Sequence, residues 1–167
     1  AKIIDKKFMF NKSTIETAGE IVKLVKQYGA NLVTIDVIGI GAGVYDNTVA
    51  LLKGNTDIKI IATNSATKPE TEDHAKKYYN LRAAMWWEAG LKFANNEIIL
   101  DDEPELEREL KAVKYEIRNG KILIEDKAEV KKRINRSPVH VNFPGAVRKH
   151  HQWMFWICYT TYTRTVE

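Results

Sequence analysis

Residues 31–43 read NLVTIDVIGIGAG, and the fold class follows from how that stretch is built. Its first half, LVTIDVI, is rich in β-branched and apolar side chains and lacks polar alternation. It therefore predicts a strand covered on both faces, at a central position in a sheet flanked by helices. Asp36 interrupts the run, with a carboxylate between Ile35 and Val37 that is costly to bury without a partner. Open α/β sheets bind ligands beyond the carboxyl ends of their strands, which is about where Asp36 falls. Two roles stay open on local sequence. Asp36 is either a ligand-binding carboxylate, or a carboxylate that caps the following turn or pairs with a nearby arginine.

The glycines that follow, Gly39, Gly41 and Gly43, depart from the dinucleotide pattern G-x-G-x-x-G, because the third comes one residue early. No acidic residue ends the next apolar run, IKIIAT (58–63), to hold a ribose. Their expected role is a backbone that passes close to a ligand or a neighbouring strand.

Working outward, KIIDKKFMF at the start reads as a strand. Ser13 or Thr14 caps a helix whose apolar face is Ile15, Ala18, Ile21, Val22, Leu24, Val25 and Tyr28, and Gly29 ends it. A second helix is expected over about 44–53, and IKIIAT is a further buried strand. The loop NSATKPETED leads into one long helix over about 74–95, in which Tyr78, Leu81, Met85, Ala89 and Phe93 keep helical spacing. EIILDD is extended, Pro104 opens the helix PELERELKAV, and Asn119-Gly120 closes a hairpin in YEIRNGKILIE. DKAEVKKRI is a short basic helix. Strands alternating with helices imply a parallel core, to which the late hairpin adds antiparallel strands.

At 167 residues the chain fits one domain, and 44% hydrophobic with 29% charged residues describes a globular protein. No apolar run approaches the roughly 18 residues of a membrane span, and AKIIDKKFMF lacks the order of a signal peptide. Cys158 is the only cysteine. That excludes an intrachain disulfide and a cysteine zinc cluster, and fits a reducing compartment such as the cytoplasm. The net charge of +4 permits a nucleic-acid partner. The charge is uneven: DDEPELERE (101–109) is acidic and KAEVKKRINR (127–136) is basic.

Three blocks, IDVIGIGAGVYD, YYNLRAAMWWEAG and ILDDEPELERELKAVKYEIRNGKILIEDKAEVKKRINRSP, occur in order over about residues 14–142. Together they resemble the nuclease domain of phage terminase large subunits, the DNA-packaging motors of tailed phages. The resemblance implies an α/β ribonuclease H-like fold, a mixed central sheet flanked by helices with a late β-hairpin. It also implies an endonuclease that cuts concatemeric phage DNA with Mg²⁺ or Mn²⁺ held by three acidic residues. Asp36 matches the second acid. The first is expected upstream of Ala1, Asp5 being outside the expected strand context. The third falls on Asn142, where the family pattern Ser-Pro-Asp-x-Ala-Asp-Ala is replaced by Ser137, Pro138, Val139, His140, Val141, Asn142 and Phe143. An amide is a weaker, neutral oxygen donor, and His140 is a poor substitute for a hard cation. Asp46 is at best a support to the site.

Duplex DNA is the implied partner, with Lys127, Lys131, Lys132, Arg133 and Arg136 as phosphate contacts whose alternative is a solvated helix face. The implied neighbours are a terminase ATPase domain, whose G-x-x-x-x-G-K-[ST] motif is not in this sequence, and the portal. A catalytically inactive DNA- or portal-binding remnant of the domain is the second reading. Trp86 and Trp87 are expected to pack rather than to stack on bases. The whole chain is read as a single domain, family-like over 1–142 and divergent over 143–167. In that tail Trp153, Phe155, Trp156, Tyr159 and Tyr162 form either a last core element or a partner-binding patch.

Overall fold

Helix α1, Thr14–Tyr28, starts where the sequence offers a reciprocal cap. The Ser13 hydroxyl accepts from the Glu16 backbone N–H, and the Glu16 carboxylate accepts from the Ser13 N–H at 2.9 Å. Two of the otherwise unpaired donors at the helix start are thereby satisfied. Gly29 ends α1 in the left-handed region at φ 62°, where a side chain would be strained. The structure, a computed structural model, describes residues 9, 11–98 and 104–134. The expected first strand, apart from Met9, and residues 99–102 of EIILDD lie outside the described residues, as does everything after Ile134.

Strand β1, Leu32–Asp36, pairs in parallel with β2, Lys59–Thr63, so that Asp36 stands opposite Thr63. Helix α2, Gly41–Leu51, makes the crossover that a parallel pair needs. α1 packs on α2, and Asn47 Nδ2 donates to Thr14 Oγ1 at 3.0 Å across that contact. Ile21, Val25, Ala30, Val33, Ile35 and Val44 form the core of this half. Burial of such side chains stabilises by roughly 1.5–3 kcal/mol each.

Three expectations need correction. α2 begins at Gly41 rather than near Val44. β2 is not covered on both faces: Lys59 and Ala62 are exposed, Ile60 and Ile61 half-buried, and only Thr63 is buried. The long helix over 74–95 is two helices, α3 (Glu72–Lys77) and α4 (Leu81–Ala94). Tyr78 leaves the helix with extended φ and ψ and bridges to Ile122, and the Tyr79 N–H donates to the Ile122 carbonyl at 2.9 Å. The Tyr78 side chain is fully buried, and its hydroxyl donates to Glu88 at 2.5 Å. Helical spacing gave no hint of this, because tertiary pairing overrides propensity here.

Helix α5, Pro104–Ala112, leads to the hairpin of β3 (Tyr115–Arg118) and β4 (Lys121–Ile124), then to α6 (Lys127–Ile134). Asn119 at φ 52° and Gly120 at φ 74° give the two left-handed positions of a type I′ turn, as Asn-Gly predicts. Among the described residues the strands make one parallel and one antiparallel pair.

The cap of α1 has a measurable pH signature. Hydrogen bonds from Ser13, backbone first, hold the exposed Glu16 carboxyl at about 2, below its ordinary 4.5. A depressed folded-state value gives stability that is present above pH 4.5 and lost as pH falls towards 2. In Glu16→Gln, stability from chemical denaturation should fall less steeply over that window than in the parent. An unchanged slope would show that the box contributes nothing to the acid response.

Candidate functional site

The carboxyl ends of β1 and β2 bring Asp36 and Ser65 together. The parallel ladder runs one step beyond the strands, where the Val37 N–H donates to the Thr63 carbonyl at 2.9 Å. Asp36 is half-buried. Its Oδ1 accepts from the Ile38 N–H at 3.1 Å, and its Oδ2 from the buried Ser65 hydroxyl at 3.3 Å. The Ile38 contact is the turn cap anticipated as one reading of the sequence. Among the described residues no lysine or arginine forms an ion pair with Asp36. A carboxylate offers about four lone-pair sites, so two such neutral donors leave capacity on both oxygens.

The glycine loop works by close approach. A Cβ on Gly41 would lie 1.7 Å from the Asp36 carbonyl oxygen, so α2 begins against the backbone of the site residue itself. Gly39 takes φ 63° to make the turn, and a Cβ on Gly43 would lie 3.1 Å from the Thr14 side chain.

Ser65 is held by α4. Asn64 shapes the turn, its side chain accepting from the Ala66 N–H at 3.1 Å. The first two N–H groups of α4, on Leu81 and Arg82, donate to the Thr67 and Ser65 carbonyls at 2.7 and 2.8 Å. Asn80 caps the helix by accepting from the Ala83 N–H at 2.9 Å. The Arg82 guanidinium reaches the far side and donates to the Glu125 carbonyl at 2.5 Å, just past β4. Burial pulls its pKa down, against the opposing charges of Asp126 and Glu125. None of these roles was assigned from the sequence, although NLRAAMW contains Asn80 and Arg82. The available signal for Ser65 was its place in the turn just past Thr63, the cross-strand partner of Asp36.

The basic candidates divide. Lys127, Lys131, Lys132 and Arg133 share α6, and none is among the contacts found for Asp36. Lys132 pairs with Glu129 at 2.6 Å. Arg133 grips the Glu125 carboxylate with both guanidinium nitrogens and also the Ala112 carbonyl. The Arg133 hydrogen bond holds Glu125 below the usual carboxylate range, and Glu125 raises Arg133 in turn. Arg133 thus has a structural task that the sequence reading did not foresee. Arg136, Asn142, His140 and Asp5 lie outside the described residues, and Asp46 is exposed on α2. Trp86 and Trp87 pack against the Tyr78 cluster, Trp87 edge-on to Tyr115 at 4.9 Å.

Asp36 and Ser65 are oxygen donors, the kind that hard divalent cations take. Asp36 fits such an ion as one ligand. Among the described residues no group of three acidic, histidine or cysteine side chains gathers to complete a centre.

No family model matches the chain, and no curated protein matches it. Solved structures do. The nuclease domain of the large terminase subunit gp2 of bacterial virus Sf6, a mutant with manganese and β-thujaplicinol, superposes with a TM-score of 0.60 at 19% identity. The match covers 74% of this chain and 67% of that one. The same domain with manganese alone gives 0.60 at 20% identity, covering 74% and 68%. The chain has the fold of a terminase nuclease domain. The α/β organisation expected from the three sequence blocks is shared with those domains, while among the described residues the hairpin forms its own two-stranded sheet and does not join the parallel pair.

Gly41→Ala should destabilise the protein by at least the roughly 1–3 kcal/mol of an overpacked site, because backbone rather than a flexible side chain stands in the way. Chemical denaturation measures it. A cost within about 0.5 kcal/mol, the range of ordinary surface substitutions, would mean that α2 does not start against Asp36.

Proposed function

We propose that this chain is a terminase-type, metal-dependent DNA endonuclease domain, acting on concatemeric phage DNA during packaging, with Asp36 as a metal-binding carboxylate. The observation that carries the reading is the state of Asp36. It is half-buried at the carboxyl end of β1, anchored by one N–H and one O–H, with no ion-paired cation among the described residues. The terminase nuclease fold supports it. Mg²⁺ or Mn²⁺ bound there supplies charge that activates water and stabilises the leaving oxygen of a phosphodiester. Asp36 contributes negative charge and an oxygen ligand, while the surrounding turn fixes its direction. Asn142 is proposed at the third ligand position, where a neutral amide holds a cation more weakly than a carboxylate.

A second reading, an inactive DNA- or portal-binding remnant of such a domain, is favoured by Asn142, a neutral amide at the position proposed for the third acid. The terminase ATPase domain and portal are the proposed neighbours under either reading. The enzyme reading and the DNA-binding form of the remnant both require a DNA contact surface. Lys127, Lys131, Lys132, Arg133 and Arg136 are proposed as its sequence-independent phosphate contacts, Arg133 also bracing Glu125.

Two measurements test this. Asp36→Asn should keep the Ile38 hydrogen bond and hold Ser65 by an amide N–H that donates to its hydroxyl, leave thermal stability intact and lose Mn²⁺ binding in calorimetry. Unchanged Mn²⁺ affinity would remove Asp36 from the site. Plasmid nicking by the parent chain, abolished in Asp36→Asn, would favour the enzyme over the remnant. Duplex DNA affinity should fall with salt, and Lys131→Glu with Lys132→Glu should weaken every sequence alike. That double change should make the slope of log K against log salt shallower by about 2. A slope that does not move would assign these lysines to a solvated face.

A further inference from the structure

Each oxygen of Asp36 has one anchor, and the two anchors differ in origin. The Ile38 N–H belongs to the same turn and follows Asp36 wherever the strand end goes. The Ser65 hydroxyl comes from the turn after β2, 29 residues away, and the residue is buried at 7% exposure. Its place is set independently of Asp36: the Ser65 carbonyl is held by the Arg82 N–H at 2.8 Å, and the adjoining turn by Asn64 and by the Leu81 N–H. Arg82 is in turn fixed to the end of the hairpin. With the serine in place, the carboxylate plane is pinned at both oxygens. Without it, one contact remains and the carboxylate turns freely about its last bond.

We propose that Ser65 is a positioning residue for Asp36, aiming the carboxylate towards a bound divalent cation from a hydroxyl that the first turn of α4 holds still. The inference rests on the reading of Asp36 as a metal carboxylate and goes beyond it by naming what orients it. Groups that orient metal ligands typically change metal affinity about 10–100-fold when removed.

The test uses Mn²⁺ as probe on the full chain, with calorimetric affinity and thermal unfolding measured for the parent, Ser65→Ala, Ser65→Thr and Asp36→Asn. Ser65→Ala should weaken Mn²⁺ binding by about 10–100-fold while unfolding at nearly the parent temperature. Ser65→Thr, which restores the hydroxyl, should bind close to the parent. Unaltered binding in Ser65→Ala, alongside loss in Asp36→Asn, would overturn the role of Ser65 and leave Asp36 standing. A fall in affinity matched by a collapse of thermal stability would make Ser65 a structural residue and equally overturn it. Unaltered binding in Asp36→Asn would overturn the metal reading and this inference together.

Discussion

The start of helix α4 is the constraint on which the described structure turns. Every helix begins with four N–H groups that its own ladder cannot satisfy. In α4 three of them have partners outside the ladder: Leu81 and Arg82 donate to the Thr67 and Ser65 carbonyls, and Ala83 to the Asn80 side chain, after which Ala84 opens the ladder on the Asn80 carbonyl. The net worth of each bond is only about 0.5–1.5 kcal/mol, but leaving a buried donor unmade costs about 1–3. The loop after β2 therefore has little freedom to choose another path. Ser65 reaches Asp36 because α4 requires its carbonyl.

From the same turn of helix, Arg82 extends to the hairpin, and a second set of charges continues from there. Glu125 accepts from the Lys114 N–H and from both guanidinium nitrogens of Arg133. This ties the entry to β3, the exit from β4 and the last turn of α6 into one polar knot. Tyr78, sealed from solvent beside Glu88, holds the opposite corner, where α3 gives way to α4. Burial and the neighbouring carboxylate push its pKa up beyond the ordinary phenol range, so it remains a neutral donor. Two ionisable groups, Arg82 and Tyr78, thus serve as fixed hydrogen-bond donors within the scaffold.

What the sequence made legible was local. Ser13 with Glu16, Gly29, and Asn119-Gly120 each define a conformation within a few residues, and each appears where expected. The β-branched run before Asp36 made β1 readable for the same reason, although its burial alternates, with Val33 and Ile35 buried and their neighbours half-buried, where cover on both faces was expected. The break at Tyr78 was hidden because Tyr78, Leu81 and Met85 hold helical spacing straight through it. What ends α3 is a bridge to Ile122, more than forty residues away. The partner of Asp36 was hidden in a similar way, since one serine in a polar loop carries no mark until the register of β1 against β2 is known. The basic helix was legible as basic. That Arg133 is occupied with Glu125 depends on where the hairpin lies, which composition does not encode.

Among the described residues the apolar clusters fall on either side of the loop at Ser65: Ile21 to Val44 on one side, Tyr78 to Ile124 and Met85 to Ile98 on the other, with no member shared. The join at this loop is made of backbone hydrogen bonds. Proteins open in cooperative units bounded by such weakly packed junctions, at free energies below that of global unfolding. The amide protons of Leu81 and Arg82 are shielded only while the loop carbonyls stay in place. Their exchange with solvent deuterium thus reports the opening of this junction, separately from the slower exchange of amides deep in either cluster.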